Sequence, residues 1–484
     1  MLLTLPLLMS LIFGLMLFII KFKSNRQRNL FTCFAAFASA VAMWIVILTY
    51  KGDGVTLIKM SQTLAIRLKL DGLGKVFAGL SATLWPFACL YAVEYMRHDM
   101  NQRAFCGFFI LSMCATLGIA MSADMLSMYF FYELLTLSTL PLVLHGMTKK
   151  SRKAGITYLC YSIGGAAFAF VAVAFSVYWG GREFALGGML NASAFINSNL
   201  ALTVYVLAFL GFGVKAAVFP LHRWLPEASV APTPVTALLH AVAVVKAGAF
   251  ALMRLTYYCF NAEFLTGTWA QTVVMAITVI TIIYGSTMAL KERHFKRRLA
   301  YSTCANLSYI LFGVTQMSAI GLASGVLHML FHSVIKIGAF FAAGAVIHNT
   351  DREYIDSLDG LGRRMPVTFT CFTVSGLALM GLPPLNGFIS KWYLAEAAVE
   401  TGSIMSVIGI CVLLYSALVT AIYMTTVSVR AFFPRKSANL TLNSRIKEVS
   451  GYMTVPMVLF AVMCVVMGCM GGQIFDGINT LLGL

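Results

Sequence analysis

Charged side chains are scarce in this sequence. Only 11% of its 484 residues are Asp, Glu, Lys or Arg, against about 25% in an ordinary soluble domain. With 60% hydrophobic residues, the shortage argues for lipid as the main solvent. Grouped cysteine is lacking too, although there are eleven cysteines. Cys89, Cys114, Cys160, Cys304, Cys371, Cys411 and Cys464 sit singly in apolar segments, and no C-x-x-C pair occurs. Metal and iron–sulfur sites need grouped ligands, and a disulfide framework needs paired cysteines in a small secreted domain. The thiols therefore read as small apolar packing residues, and the chain is expected to hold no metal and no cofactor. Strict apolar/polar alternation over ten-residue segments is missing too, which excludes an outer-membrane barrel.

What is present is a series of apolar runs, each long enough to cross about 30 Å of hydrocarbon as a helix. They predict spans at 2–20, 30–50, 72–95, 105–122, 125–146, 155–180, 200–219, 233–257, 270–290, 299–316, 320–347, 366–400 with a break, 404–429 and 450–475. In lipid every backbone polar group must be satisfied within the segment. The expected fold is therefore an all-α integral membrane bundle of about fourteen helices. The first run lacks a basic leader and a cleavage site and reads as a retained span. The last ends just before Leu484, so no soluble domain and no nucleotide-binding loop are expected.

A net charge of +17 would raise nucleic-acid binding in a soluble protein. Here the cations gather in loops, where they orient the chain, so no nucleic-acid partner is expected. One side holds Lys21, Lys23, Arg26, Arg28, Arg97, Arg103, Lys149, Lys150, Arg152, Lys153 and Arg223. It continues with Lys291, Arg293, Lys296, Arg297, Arg298, Arg352, Arg363, Arg364, Arg430, Arg435, Lys436, Arg445 and Lys447. The other side has Lys51, Lys59, Arg67, Lys69 and Arg182. This asymmetry places the first side in the cytoplasm and both termini outside, in a cell inner (plasma) membrane.

Two spans are interrupted. The seventh reads Gly211-Phe-Gly-Val-Lys215-Ala-Ala-Val-Phe-Pro220, and the twelfth reads Gly381-Leu-Pro383-Pro384-Leu-Asn386-Gly387-Phe-Ile-Ser-Lys391. Broken helices at matching places in two halves point to a transport site. Spans four to eight and nine to thirteen then form two inverted five-helix repeats. The expected organisation is residues 1–103 for helices one to three, 104–257 for the first repeat, 258–430 for the second, and 431–484 for the last loop and helix.

Charges at bilayer depth are functional candidates. Glu133 lies about eight residues, or roughly 12 Å, into span five. Lys215 falls in broken span seven, Lys246 in span eight, Lys336 in span eleven, and Lys391 after the break in span twelve. Snorkelling accounts for cations near an interface, such as Lys75, but not for five near-central charges in five helices. His328, His332 and Lys336 are spaced i, i+4, i+8 and share one helix face, drifting about 40° per step. Two histidines stacked over a buried lysine resemble a proton relay. His240 precedes Lys246 by six residues and lies on another face.

The physics supplies a mechanism. Burial disfavours the charged form of a titratable group, so a buried lysine can release a proton near neutral pH. A carboxylate about 4 Å away holds that proton with roughly 4 kcal/mol at an effective dielectric near 20. Opening a Glu133–Lys215 pair would therefore drive a proton from Lys215 toward Lys246.

Several motifs carry a resemblance. Phe-Tyr-Glu133-Leu, Gly-Val-Lys215-Ala-Ala-Val-Phe-Pro-Leu-His-Arg-Trp-Leu-Pro-Glu-Ala, Pro232-Thr-Pro-Val-Thr-Ala-Leu-Leu-His240 and Val-Lys246-Ala-Gly resemble the antiporter-like subunits. These occur in respiratory complex I, Mrp-type sodium/proton antiporters and membrane-bound hydrogenases. Leu-Pro-Pro-Leu-Asn-Gly-Phe-Ile-Ser-Lys391 resembles the family's second broken helix. The resemblance covers about residues 70 to 430. It implies fourteen helices with inverted five-helix repeats, and it implies Glu133, Lys215, Lys246 and Lys391 as proton-path residues. The chain is similar to the shorter members: the D-like Mrp subunit, or complex I subunits M and N. The implied partners are other membrane subunits, with protons moved and sodium as an alternative cation. No redox or hydrolytic centre is expected in the chain itself, which would be the ion-pumping part of an oxidoreductase or an antiporter.

Two other functions compete. A stand-alone secondary transporter for another solute would need a polar cavity of varied donors and acceptors, whereas these buried groups form a titratable line. A quinone-binding redox enzyme would sit oddly with the missing haem and cluster ligands.

Overall fold

The computed structural model describes residues 2–61, 64–190, 195, 197–435 and 446–484. Lys436 and Arg445, two of the loop cations, lie outside the described residues. The helices in chain order are α1 Leu5–Ile19, α2 Asn25–Thr49, α3 Gly72–Tyr95, α4 Gln102–Ala120, α5 Met125–Leu144, α6 Lys149–Tyr178, α7 Ser198–Gly213, α8 Trp224–Ala228, α9 Thr233–Ala241 and α10 Val244–Met253. They continue with α11 Ala262–Leu265, α12 Trp269–Lys291, α13 Phe295–Thr315, α14 Ala319–Thr350, α15 Pro366–Met380, α16 Asn386–Thr401, α17 Ile404–Phe432, α18 Gly451–Cys469 and α19 Gly471–Leu482. A short antiparallel hairpin joins β1 Val55–Lys59 to β2 Ala65–Leu68 in the loop after α2, an addition to the all-α reading.

Side-chain caps start many of these helices. Asp71 accepts from the Gly74 amide, Asp124 from Ser127, and Ser318 from Gly321. Each satisfies an amide that the first turn leaves unpaired. Gly381, with φ +91°, ends α15 in the left-handed region, where a Cβ would be strained.

Among the described residues, eleven helices are long and apolar enough to cross a membrane. Two shorter apolar helices, α7 and α15, are the first halves of the interrupted spans. Length and hydropathy alone thus do not give the fourteen expected spans. The shortfall falls on these two and on α13, which is long enough but carries a polar first turn, Phe-Lys-Arg-Arg.

The helices divide into two kinds. The stretch from Thr233 to Phe260 is wholly buried over its most apolar window, and α14 is 94% buried, whereas α1 and α18 are only 33% buried. The perimeter helices turn residues such as Leu48, Leu418 and Ile404 outward, as a lipid-facing surface requires. The central helices carry the buried charges. α14 packs against α9, α13, α15, α16 and α18, which puts it at the hub.

The eighth expected span departs from its prediction as a continuous helix. It breaks between α9 and α10 at Val242 and Ala243. Ala243 has φ −88° and ψ −90°, and its amide reaches back five residues to the Leu238 carbonyl. After α10 the chain continues as a π-helical turn, Arg254–Phe260.

Candidate functional site

Each broken helix places a lysine beside the break. Lys215 lies in the irregular segment after α7, where Ala217 takes φ +55° and the Trp224 indole N–H donates to the Val214 carbonyl at 2.7 Å. α10 packs directly on this segment because residue 248 is glycine. A Cβ there would lie 2.5 Å from the Ala216 nitrogen and 2.8 Å from the Lys215 carbonyl carbon.

Glu133 reaches Lys215 from α5. Its Oε1 is 3.8 Å from Nζ, with the lysine side chain 1% exposed and the glutamate 27%. That separation is an ion pair but not a hydrogen bond, and Oε1 has no hydrogen-bond partner among the described residues. The Lys215 ammonium instead donates to the Tyr132 carbonyl and sits 3.3 Å from the centroid of the Tyr132 ring. A cation over an aromatic face is attracted to it. The lysine is thus held by the residue next to Glu133 while the carboxylate stands slightly off.

Lys246 is in the first turn of α10 and wholly buried. Its Nζ is 2.6 Å from His332 Nδ1 on α14. One turn away, His328 lies nearly parallel to His332, ring centroids 5.8 Å apart. His328 Nδ1 is 2.9 Å from the Ser390 hydroxyl on α16. The next residue is Lys391, part-buried, whose Nζ donates to the carbonyls of Leu379 and Met380 at 2.7 and 3.1 Å. Those carbonyls belong to the end of α15, left unpaired by the break that follows. Tyr309 stands between the two groups, 5.3 Å from Lys391 Nζ and 5.4 Å from the His328 ring.

Lys336 shares the α14 face with the histidines but its ammonium does not join them. It donates to the Leu299 carbonyl at 3.0 Å and to Ser302 Oγ at 2.8 Å on α13, and Ser302 also accepts from the Tyr423 hydroxyl at 2.7 Å. His240 is buried against Phe340 at 4.7 Å. Neither of its ring nitrogens has a partner among the described residues, nor has Nε2 of His328 or of His332.

Some buried groups escaped the sequence reading. Ser302, Ser390, Tyr309 and Tyr423 are ordinary residues whose partners lie on other helices, and nothing local marks them. Arg254 did carry a signal, being a charge at the end of an apolar run. It is 1% exposed and bonded to Asp71 by both terminal nitrogens, Nη2 to Oδ1 at 2.6 Å. Lys296 and Arg298, read as loop cations, are buried at 6% and 7% exposure. Lys296 donates to the Ala231 carbonyl at 2.9 Å.

The comparisons with known proteins agree with this architecture. Residues 122–420 match the family model described as NADH:quinone oxidoreductase/Mrp antiporter, TM. The chain belongs to that family, as an antiporter-like membrane protein. It is 31% identical over 432 residues to NADH-quinone oxidoreductase subunit N of Desulforudis audaxviator, covering 85% of this chain and 84% of the relative. It is 30% identical to one component of a probable K(+)/H(+) antiporter of Rhizobium meliloti, covering 88% of this chain but only 42% of that longer protein. Its fold superposes on a chain of the Mrp complex from a Dietzia species with a TM-score of 0.88 at 23% identity, covering 99% of this chain and 51% of the other. Relatives of this kind are subunits of multisubunit membrane complexes.

Proposed function

We propose that the chain moves protons across the membrane as one component of a larger complex, through Glu133, Lys215, Lys246, His332, His328 and Lys391. The observation that carries this reading is the Lys246–His332 hydrogen bond of 2.6 Å, continued by the stacked His328 toward Ser390 and Lys391. Titratable groups succeed one another between two helix breaks. Along this region His240, His328 and His332 keep ring nitrogens without a protein partner among the described residues. Such atoms cost about 1–3 kcal/mol unless water meets them, and water there completes a proton-conducting line.

Glu133 and Lys215 act as the switch. At 3.8 Å the carboxylate stabilises the ammonium by roughly 4 kcal/mol at an effective dielectric near 20. When the pair opens, that stabilisation is lost and Lys215 gives its proton toward Lys246. The fold supports treating 104–257 and 258–430 as inverted repeats, since each holds a lysine beside a broken helix. Lys336 and His240 serve as side branches that set the field on the main line. Sodium remains an alternative cation. The membrane is the inner (plasma) membrane, with both termini outside, and the driving partner is another member of the complex.

The test is proton flux in proteoliposomes holding the purified complex, followed with an internal pH-sensitive dye. Energised complex should acidify or alkalinise the lumen, and Lys246→Met complex of equal assembly should not. Undiminished flux in the Lys246→Met complex would reject the path.

A further inference from the structure

At the loop ends of α12, α13 and α17 lies a cavity of about 640 Å³ lined by Lys291, Arg293, Arg298, Arg430 and Arg435, with Asp356 as the one carboxylate among them. That carboxylate is already shared, 2.6 Å from Arg430 Nη1 and 3.9 Å from Arg293 Nη1. Arg298 sits in the wall at 7% exposure. Its guanidinium donates to the carbonyls of Glu292 and Tyr423 at 2.9 Å and of Leu290 at 3.5 Å. Carbonyls satisfy its N–H groups without cancelling its charge. The Glu292 carboxylate turns away, to Arg297 at 3.4 Å and to the amides of Arg293 and His294 at 3.0 Å. Arg298 has no carboxylate within ion-pair distance among the described residues, and the acids that act on it from further off, Glu292 and Asp356, are each paired with other arginines, which makes its burial unfavourable. Lys291 and Arg435 make no ion pair with other described residues. The cavity therefore holds cationic charge that the described residues leave unmatched.

The flank of the cavity is equally specific. α12 and α17 are tied side by side by Ser286–Ser416 at 2.5 Å and Thr287–Tyr415 at 2.8 Å. Along this seam Ile280 and Ile283 of one helix, and Leu414, Leu418 and Ile422 of the other, are exposed. The apolar strip ends at the basic cavity. Guanidinium groups suit phosphate through paired N–H donors, and basic pockets between helix ends suit anionic headgroups. A free phosphate or an acidic protein segment would use the donors and leave the strip uncovered.

We propose that this cavity binds the phosphate of an anionic phospholipid whose acyl chains lie along the α12–α17 seam. The inference is independent of the proton path. The test is native mass spectrometry of the purified complex, titrated with phosphatidylglycerol, phosphatidylethanolamine or inorganic phosphate. Lys291→Gln/Arg435→Gln changes two exposed side chains and should leave assembly intact. It should weaken phosphatidylglycerol binding about tenfold or more, by removal of two charges, with one fewer lipid retained per complex. Phosphatidylethanolamine should not displace phosphatidylglycerol. Unchanged lipid retention in the double variant would overturn the proposal, as would equal competition by phosphatidylethanolamine. Displacement by inorganic phosphate at matching concentration would overturn it in favour of a free-anion site. Cross-linking of a Lys291→Cys complex to a neighbouring protein, with no lipid lost, would overturn it in favour of a protein contact.

Discussion

Lys246 and His332 meet across α10 and α14 with Nζ 2.6 Å from Nδ1, both side chains wholly buried. At that separation only one of the two nitrogens can carry the shared proton. An ammonium facing a protonated ring nitrogen would set two donors against each other. The pair therefore has two arrangements, lysine donating to imidazole or imidazole donating to the neutral amine, and passing between them is a proton transfer. This relationship is the physical core of the proposed path, and it makes the chemistry of each partner testable.

Lys215→Arg and Lys246→Arg keep a positive charge but remove the ability to change protonation, because arginine stays protonated in proteins. Both variants should assemble, yet slow coupled proton transport by about tenfold or more, the equivalent of about 1.4 kcal/mol on the barrier. Near-normal transport by both would assign the lysines a static role, holding charge or ordering water. The assay is transport in membranes carrying equal amounts of each assembled complex.

The two histidines should separate by substitution type. His332→Ala and His328→Ala should lower the rate more than His332→Gln and His328→Gln. Glutamine cannot titrate, but its amide can hold the bond to Lys246 or Ser390 and organise water. Full activity in all four variants would mean the rings only pack.

Ser302 accepts from both the Lys336 ammonium and the Tyr423 hydroxyl. Ser302→Ala leaves two buried donors short of an acceptor, at a cost of about 1–3 kcal/mol. The thermal transition of the purified complex should fall. Transport per assembled complex should fall less than in Lys246→Met, because Lys336 does not bridge to the histidines. A loss as severe as that of Lys246→Met would put Lys336 on the main line.

Gly248 lets α10 rest on the backbone of Lys215. In Gly248→Ala the added Cβ would meet the Ala216 nitrogen at 2.5 Å, so α10 must shift and carry Lys246 with it. The effect should appear as lost transport in complex that still assembles, whereas Ala249→Gly, one residue on, should be mild. Normal transport in Gly248→Ala would show that the spacing between Lys215 and Lys246 is not critical.

Much of this architecture could be read from residues one at a time. The breaks after α7 and between α15 and α16 announce themselves through Gly211, Pro220, Gly381, Pro383 and Pro384. Glu133, Lys215, Lys246, Lys336 and Lys391 stand out as charges inside apolar runs. The break at Val242 and Ala243 has no such mark. His-Ala-Val-Ala-Val-Val-Lys246 contains neither proline nor glycine, so nothing in the local residues announces the break. The i, i+4, i+8 spacing puts His328, His332 and Lys336 on one helix face. It cannot tell that Lys336 bonds to α13 while His332 bonds to α10, since partners a helix apart leave no local pattern. Lys296 and Arg298 sit beside exposed Arg293 and Arg297 in sequence, and only the tertiary fold separates buried cations from solvated ones.

The most direct test concerns Glu133, the carboxylate 3.8 Å from Lys215. Coupled proton transport is to be measured in proteoliposomes with complex carrying Glu133→Ala or Glu133→Asp, matched for assembly. With the carboxylate gone, Lys215 loses its ion-pair partner, which in the proposed switch holds and releases its proton. Glu133→Ala should therefore retain less than about a tenth of the rate, from a barrier raised by more than about 1.4 kcal/mol. Glu133→Asp, which keeps the charge on a shorter arm, should fall between. Wild-type transport by a correctly assembled Glu133→Ala complex would contradict the switch.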